Sequence, residues 1–195
     1  LALGTHTTGG HNIAIGKGSM GNTDAGSTSL GSTDNVFIGR EAGGGTWADA
    51  ASNYNVGIGN YVMDGALNGA GYNTAVGYEA LSAVTTADDI VALGYRSLLS
   101  LTTGARNVGV GTSTGRSITV GTDTVHVGDE AGRYATGSYN TFVGSDAGKG
   151  GTTSAPYSSG QNNTAVGKSA LAAFTTGDKN TVLGYQAGDA VTTGN

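Results

Sequence analysis

A five-residue phrase returns along almost the whole chain, and its spacing limits what the chain can fold into. The phrase runs Asn, a β-branched residue, a variable residue, an aliphatic residue, Gly. It reads Asn12-Ile13-Ala14-Ile15-Gly16 near one end, Asn73-Thr74-Ala75-Val76-Gly77 in the middle and Asn180-Thr181-Val182-Leu183-Gly184 near the other. Closing glycines stand at 59, 77, 94, 111, 128 and 144, which gives steps of 18, 17, 17, 17 and 16. Two longer steps, from Gly39 to Gly59 and from Gly144 to Gly167, carry insertions around Trp47 and around Pro156-Tyr157. A short period held this regularly is the mark of a repeat architecture.

A second phrase follows the closing Gly, as in Tyr78-Glu79-Ala80-Leu81, Tyr95-Arg96-Ser97-Leu98 and Ser145-Asp146-Ala147-Gly148. A polar turn such as Thr102-Thr103-Gly104 or Thr175-Thr176-Gly177 completes the unit. About seventeen residues are too few for a helix, a strand and two connections. They suffice for one solenoid coil with two short strands and tight turns. The Asn-to-Gly phrase alternates with the period of two that a strand requires. Its fourth position is always Ile, Val or Leu, so the second and fourth positions are expected to face the core, with Ile15, Ile58, Val110 and Val166 stacked rung over rung. The third position is then expected to face outward, toward something close. Gly suits a corner with positive φ, and stacked Asn side chains can form hydrogen-bonded ladders.

Composition agrees with a thin, elongated core. Gly accounts for 37 of 195 residues, Pro for one, and Cys is absent. A single coil of Ala, Val and Gly buries little against a backbone entropy of roughly 1–2 kcal/mol per residue. Stacking of repeats offsets part of that cost, and side-by-side packing of several chains offsets more. The formal net charge is −5 and the nine Lys and Arg residues are scattered. That argues against nucleic acid, which needs clustered basic residues. No apolar run approaches a membrane span, so no direct membrane insertion is expected of this segment.

The phrases Asn73 to Leu81 and Asn180 to Gly188 resemble the repeats of phage-type tail fibre proteins, which read Asn-Thr-Ala-Val-Gly-Tyr-x-Ala between Thr-Thr-Gly turns. The Ala14-Ile15-Gly16 type of phrase is also similar to the head repeats of YadA-like trimeric autotransporter adhesins. The resemblance covers nearly all 195 residues. It implies an all-β fold, a β-solenoid of the left-handed parallel β-roll type with coils of about 17 residues, assembled as an intertwined or side-by-side homotrimer. Residues 1–195 are expected to form a single repeat domain, a fragment of a longer fibre. The implied function is a structural and adhesive segment of an extracellular fibre, on a virion or a bacterial cell surface, with a cell-surface glycan or protein as receptor. The two forms are a tail fibre shaft or receptor-binding region and the head of a bacterial adhesin that binds host, matrix or neighbouring-cell surfaces. An ice-binding solenoid is a third reading, prompted by Thr85-Thr86 and Thr102-Thr103, although such pairs are missing from several middle coils.

No enzyme and no cofactor are expected. Gly111-Thr112-Ser113-Thr114-Gly115 fits the G-x-S-x-G pattern but sits in the repeat frame, not at a strand-to-helix turn. Gly144 to Lys149 resembles a damaged phosphate loop. Acidic residues such as Asp24, Asp64 and Asp178 fall near turns without forming a known calcium loop. Of the three histidines, His6 and His11 read as surface residues. His126 takes the third strand position, and on a three-fold axis three copies of it would meet around a metal or anion; a packed ring is the alternative. Recognition candidates are Trp47 and Tyr157 in the irregular insertions, where binding residues concentrate. Tyr78, Tyr95 and Tyr185 join them because stacked tyrosines could form a ladder along one edge.

Overall fold

The computed structural model describes residues 2–4, 9–23, 31–151, 155 and 157–194. His6, Asp24 and Pro156 lie outside them. The chain is an all-β solenoid with no α-helix among the described residues. Each Asn-to-Gly phrase supplies one three-residue strand. These are β1 (Ile13–Ile15), β2 (Val36–Ile38), β3 (Val56–Ile58), β4 (Thr74–Val76), β5 (Val91–Leu93), β6 (Val108–Val110), β7 (Val125–Val127), β8 (Thr141–Val143), β9 (Thr164–Val166) and β10 (Thr181–Leu183). They form one parallel sheet in chain order, with register that pairs like positions: Val76 with Leu93, Leu93 with Val110, Val110 with Val127. Nine steps of roughly 4.8 Å make a sheet about 43 Å long.

Among the described residues the expected second strand of each coil is absent, and only the bridge between Ala135 and Ser158 lies outside the sheet. Turns replace it, and they too are hydrogen-bonded from coil to coil. The N–H of Leu81 donates to the carbonyl of Ser97, that of Leu98 to Thr114, and that of Gly115 to Ala131. A three-residue strand is all that fits between two corners that both need unusual backbone.

At the closing corner, Gly77 has φ +139, and a Cβ there would lie 2.4 Å from the carbonyl oxygen of Gly94 in the next coil. Both the conformation and the stacking therefore exclude a side chain. At the opening corner the left-handed residue is the one before the Asn position: Tyr54, Tyr72, Asp89 and Arg106 have φ of 59, 58, 59 and 55. The Asn side chain has a different task. The Oδ1 of Asn35 accepts from the backbone N–H and the Nδ2 of Asn55, and Asn55 serves Asn73 in the same way. The ladder runs inside the coil, where Asn35, Asn55 and Asn73 are fully buried. It is interrupted where Ile90 replaces Asn and the backbone N–H of Ile90 takes the Oδ1 of Asn73, and it resumes from Asn140 through Asn163 to Asn180.

The two faces of the strands are the reverse of the expectation. The third position points inward: Phe37, Ala75, Ala92, His126, Phe142 and Ala165 are fully buried. The second and fourth positions point outward, and Ile15 and Ile58 are 57% and 39% exposed. The aliphatic column is stacked rung over rung, as expected, but on the outside.

The interior is closed by a reciprocal choice of size. Six residues after each inward strand residue, the second phrase presents a side chain into the same space. Ala75 faces Leu81, Ala92 faces Leu98 and Ala165 faces Leu171. Phe37 is paired with Gly43, His126 with Gly132 and Phe142 with Gly148. A Cβ on Gly148 would lie 2.4 Å from the Phe142 ring, and one on Gly132 would lie 2.5 Å from His126. Close packing forbids two large residues in one coil and leaves a void for two small ones. Among the described coils the one with two small ones, Gly109 and Gly115, is filled from its neighbours by Leu98 and His126.

Candidate functional site

The outward face of the sheet is the first candidate. Of the twenty outward strand side chains, sixteen are Ile, Val or Leu (six at the second position, ten at the fourth); the rest are Thr74, Thr141, Thr164 and Thr181. Parallel sheets are seldom found with one face bare. Their strands read as continuous apolar runs because both faces are covered. The strands Ile-Ala-Ile (β1), Val-Phe-Ile (β2) and Val-Ala-Leu (β5) have that character, yet within one chain only the inner face is covered.

Tyrosines flank this face at both ends of the strands. Tyr54 and Tyr72, each preceding a strand Asn, stack at 5.1 Å. Tyr78 and Tyr95, each following a closing Gly, stack at 5.8 Å, with Tyr61 edge-on to Tyr78. Arg96 lies over Tyr95 and bonds Glu79 through its Nε at 2.6 Å. The Arg96 guanidinium holds the Glu79 carboxyl below its ordinary pKa, and the hydrogen bond to Glu79 raises that of the Tyr78 hydroxyl. The ladder is short. After Tyr95 the same position carries Thr112, Asp129, Ser145 and Lys168, so Tyr185, though highly exposed, stands five rungs away from its nearest aromatic counterpart.

The other recognition candidates divide. Trp47 is fully buried, with its ring edge-on to Phe37 and its Nε1–H bonded to the carbonyl of Gly43 at 3.0 Å. The longer coil places it in the core, so it offers no recognition surface. Tyr157 is half-buried on the surface and stacks on Tyr134 at 6.1 Å. Beside this pair opens a cleft of about 290 Å³ lined by Leu99, Ser100, Arg116, Ser117, Arg133, Tyr134 and Tyr157.

His126 is not axial. Its third-position side chain is enclosed by the chain's own coil, parallel to the Phe142 ring at 5.1 Å and against Gly115 and Gly132. Neither ring nitrogen has a hydrogen-bond partner, and burial lowers its pKa to about 3, so the ring is neutral. No group of three or more His, Asp or Glu side chains gathers among the described residues. His11 is exposed and reaches Asp34 at 3.1 Å. Burial raises the pKa of Asp64, whereas Arg106 lowers that of Asp123 to about 2.

Arg116 and Arg133 were not singled out from the sequence. The signal was there in the repeat frame: Leu99, Arg116, Arg133 and Lys149 occupy one position in four successive coils, immediately after the last residue of the second phrase. No protein-family model, curated protein or solved structure matches this chain.

Proposed function

We propose that the chain is a structural and adhesive segment of an extracellular fibre, in the manner of a phage-like tail fibre shaft or receptor-binding region, in which three copies pack side by side. One observation carries the reading: a parallel sheet about 43 Å long keeps an apolar outer face that its own chain leaves uncovered. An apolar surface of that extent, broken only by Thr at four second positions, marks an interaction face. The occupant that fits is a second copy, because a rung-by-rung array of Val, Ile and Leu finds the same length and spacing only on another such solenoid. Three around an axis also gives each copy two neighbours, so that a coil too thin to bury much by itself gains a shared core. The bacterial adhesin head is the second reading. It uses the same face in the same way and differs in what the fibre is attached to.

Sedimentation equilibrium or native mass spectrometry tests the assembly. The expected result is a trimer that dissociates when Leu93→Glu and Val127→Glu put charges on the outer face, while circular dichroism of the single chain is retained. A monomeric wild-type chain at tens of micromolar concentration overturns it.

A further inference from the structure

The cleft beside Tyr157 is built, not incidental. Its lining comes from four successive coils: Leu99 and Ser100, Arg116 and Ser117, Arg133 and Tyr134, then Tyr157 from the insertion that lengthens the step between Gly144 and Gly167. Backbone bonds lock these rungs together. The N–H of Ser117 donates to the carbonyl of Arg133 at 3.0 Å, that of Tyr134 to Lys149 at 2.7 Å, and that of Ser158 to Tyr134 at 3.0 Å. The position that gives Leu99 therefore gives a column of cations, Arg116, Arg133 and Lys149, at the strand spacing.

The charges in this column are unequally satisfied. Glu130 bonds both Arg133 and Lys149, and Lys149 also reaches Asp146 at 2.9 Å. Arg116 has no ion pair among the described residues. The Nε of Arg133 is buried and has no hydrogen-bond partner. Its guanidinium lies over the Tyr134 ring at 5.1 Å, which fixes its plane. The cleft thus carries a free guanidinium, a second with an unused donor, two serine hydroxyls and a stacked pair of tyrosines, on a chain whose net charge is −5.

We propose that this cleft binds one carboxylate-bearing sugar unit of a cell-surface polysaccharide. Arg116 takes the carboxylate, because a guanidinium fork matches its two oxygens. Ser100 and Ser117 meet ring hydroxyls, and the tyrosine pair meets the apolar C–H face of the ring. The volume, near the lower end of ligand pockets at about 300 Å³, suits a single sugar residue. The flanking Glu130 and Asp146 disfavour a densely charged polyanion such as nucleic acid. This assignment rests on the adhesive half of the function proposed above and gives it a ligand class.

The test is binding of glucuronic-acid-terminated and sialic-acid-terminated oligosaccharides, read by saturation-transfer NMR and titration, against the corresponding glucose-terminated oligosaccharide and inorganic phosphate. Acidic sugars are expected to bind at least tenfold more tightly than either comparator. Arg116→Ala is expected to abolish that preference with little change in the thermal midpoint, since the side chain has no ion pair among the described residues. Tyr157→Leu is expected to weaken all sugar binding, and Arg40→Ala, at a distant coil, to change nothing. Equal binding of acidic and neutral sugars, an unaltered Arg116→Ala variant, or phosphate binding as tightly as the acidic sugars each overturns the proposal. A trimer that ignores every sugar sinks the cleft assignment and leaves the fibre; a monomer that binds acidic sugars does the converse.

Discussion

The coils of β4 and β5 and those of β7 and β8 enclose the same narrow space from opposite sides. In the first pair the strand contributes Ala75 and Ala92, and the turn supplies Leu81 and Leu98. In the second the strand contributes His126 and Phe142, and the turn retreats to Gly132 and Gly148. The buried apolar residues separate into two clusters, and each contains both kinds of coil, since Phe37 lies in the first and Ala165 with Leu171 in the second. One runs from Met20 to Ile118 and the other from Ala131 to Phe174. The seam between them is polar: the Ser97 hydroxyl bonds Thr114 at 2.8 Å, and the His126 ring, stacked on Phe142, keeps two unused nitrogens. A solenoid coil thus conserves its enclosed volume, not the identity of the position that fills it.

The sharpest way to break this comparison is to transpose one coil into the other type. Phe142→Ala is expected to cost about 3–5 kcal/mol by leaving a cavity. Adding Gly148→Leu should recover much of that loss, because Leu81, Leu98 and Leu171 adopt the same left-handed backbone, φ 50–53, that Gly148 has at 52. Denaturant titration of the single and double variants measures the coupling; additive losses would falsify the reciprocal packing.

Next in size is the internal ladder, which runs from Asn12 to Asn73 on one side of the seam and from Asn140 to Asn180 on the other. Asn73→Ala removes its bonds to Asn55, to the carbonyl of Ala87 and to the N–H of Ile90. A loss of about 2–3 kcal/mol is expected, since buried partners are left unsatisfied. Thermal unfolding of the variant checks it, and a loss under a third of that would assign the ladder a passive role.

The seam itself should respond to acid. His126 is neutral in the fold, with its pKa lowered to about 3, whereas in the unfolded chain it protonates near its ordinary 6.5. Its contribution to stability is therefore complete above about pH 6.5 and is lost as pH falls toward 3. By pH 5 the loss is on the order of 2 kcal/mol. His126→Phe removes the two unused nitrogens and should flatten that part of the stability profile, as read from urea midpoints between pH 7 and 5. A parallel decline in both proteins would place the acid sensitivity elsewhere.

The smallest effect is expected next door to the largest. Val143→Ala, one residue after Phe142 but on the outer face, should change the stability of the single chain by less than about 1 kcal/mol. It should weaken self-association instead, which sedimentation separates from folding.

Much of this architecture was legible in the residues. The step of about seventeen, the rung-over-rung register and the stacking of closing glycines follow from where Asn and Gly recur, because a parallel ladder pairs like with like. The pairing of Phe142 with Gly148 and of Ala92 with Leu98 was also written there, in second phrases that end in Gly or Leu. It goes unread unless the strand and turn of one coil are compared. The cleft was partly legible, since Tyr157 marked the insertion. Arg116 and Arg133 gain meaning only when successive coils bring them to one column.

Which face is inside was a different kind of question. Alternation with period two establishes that a strand has two faces and is symmetric between them. The steady Ile, Val and Leu of the fourth position suggested the core, and the small, variable third position suggested the surface. The folded coil reverses that choice because its interior is too narrow for a branched side chain from both walls. Trp47 went inward for the complementary reason: a coil lengthened by three residues has room for an indole beside Phe37. Period and register are properties of the chain. Inside and outside are decided by the width of the space that the closed coil leaves.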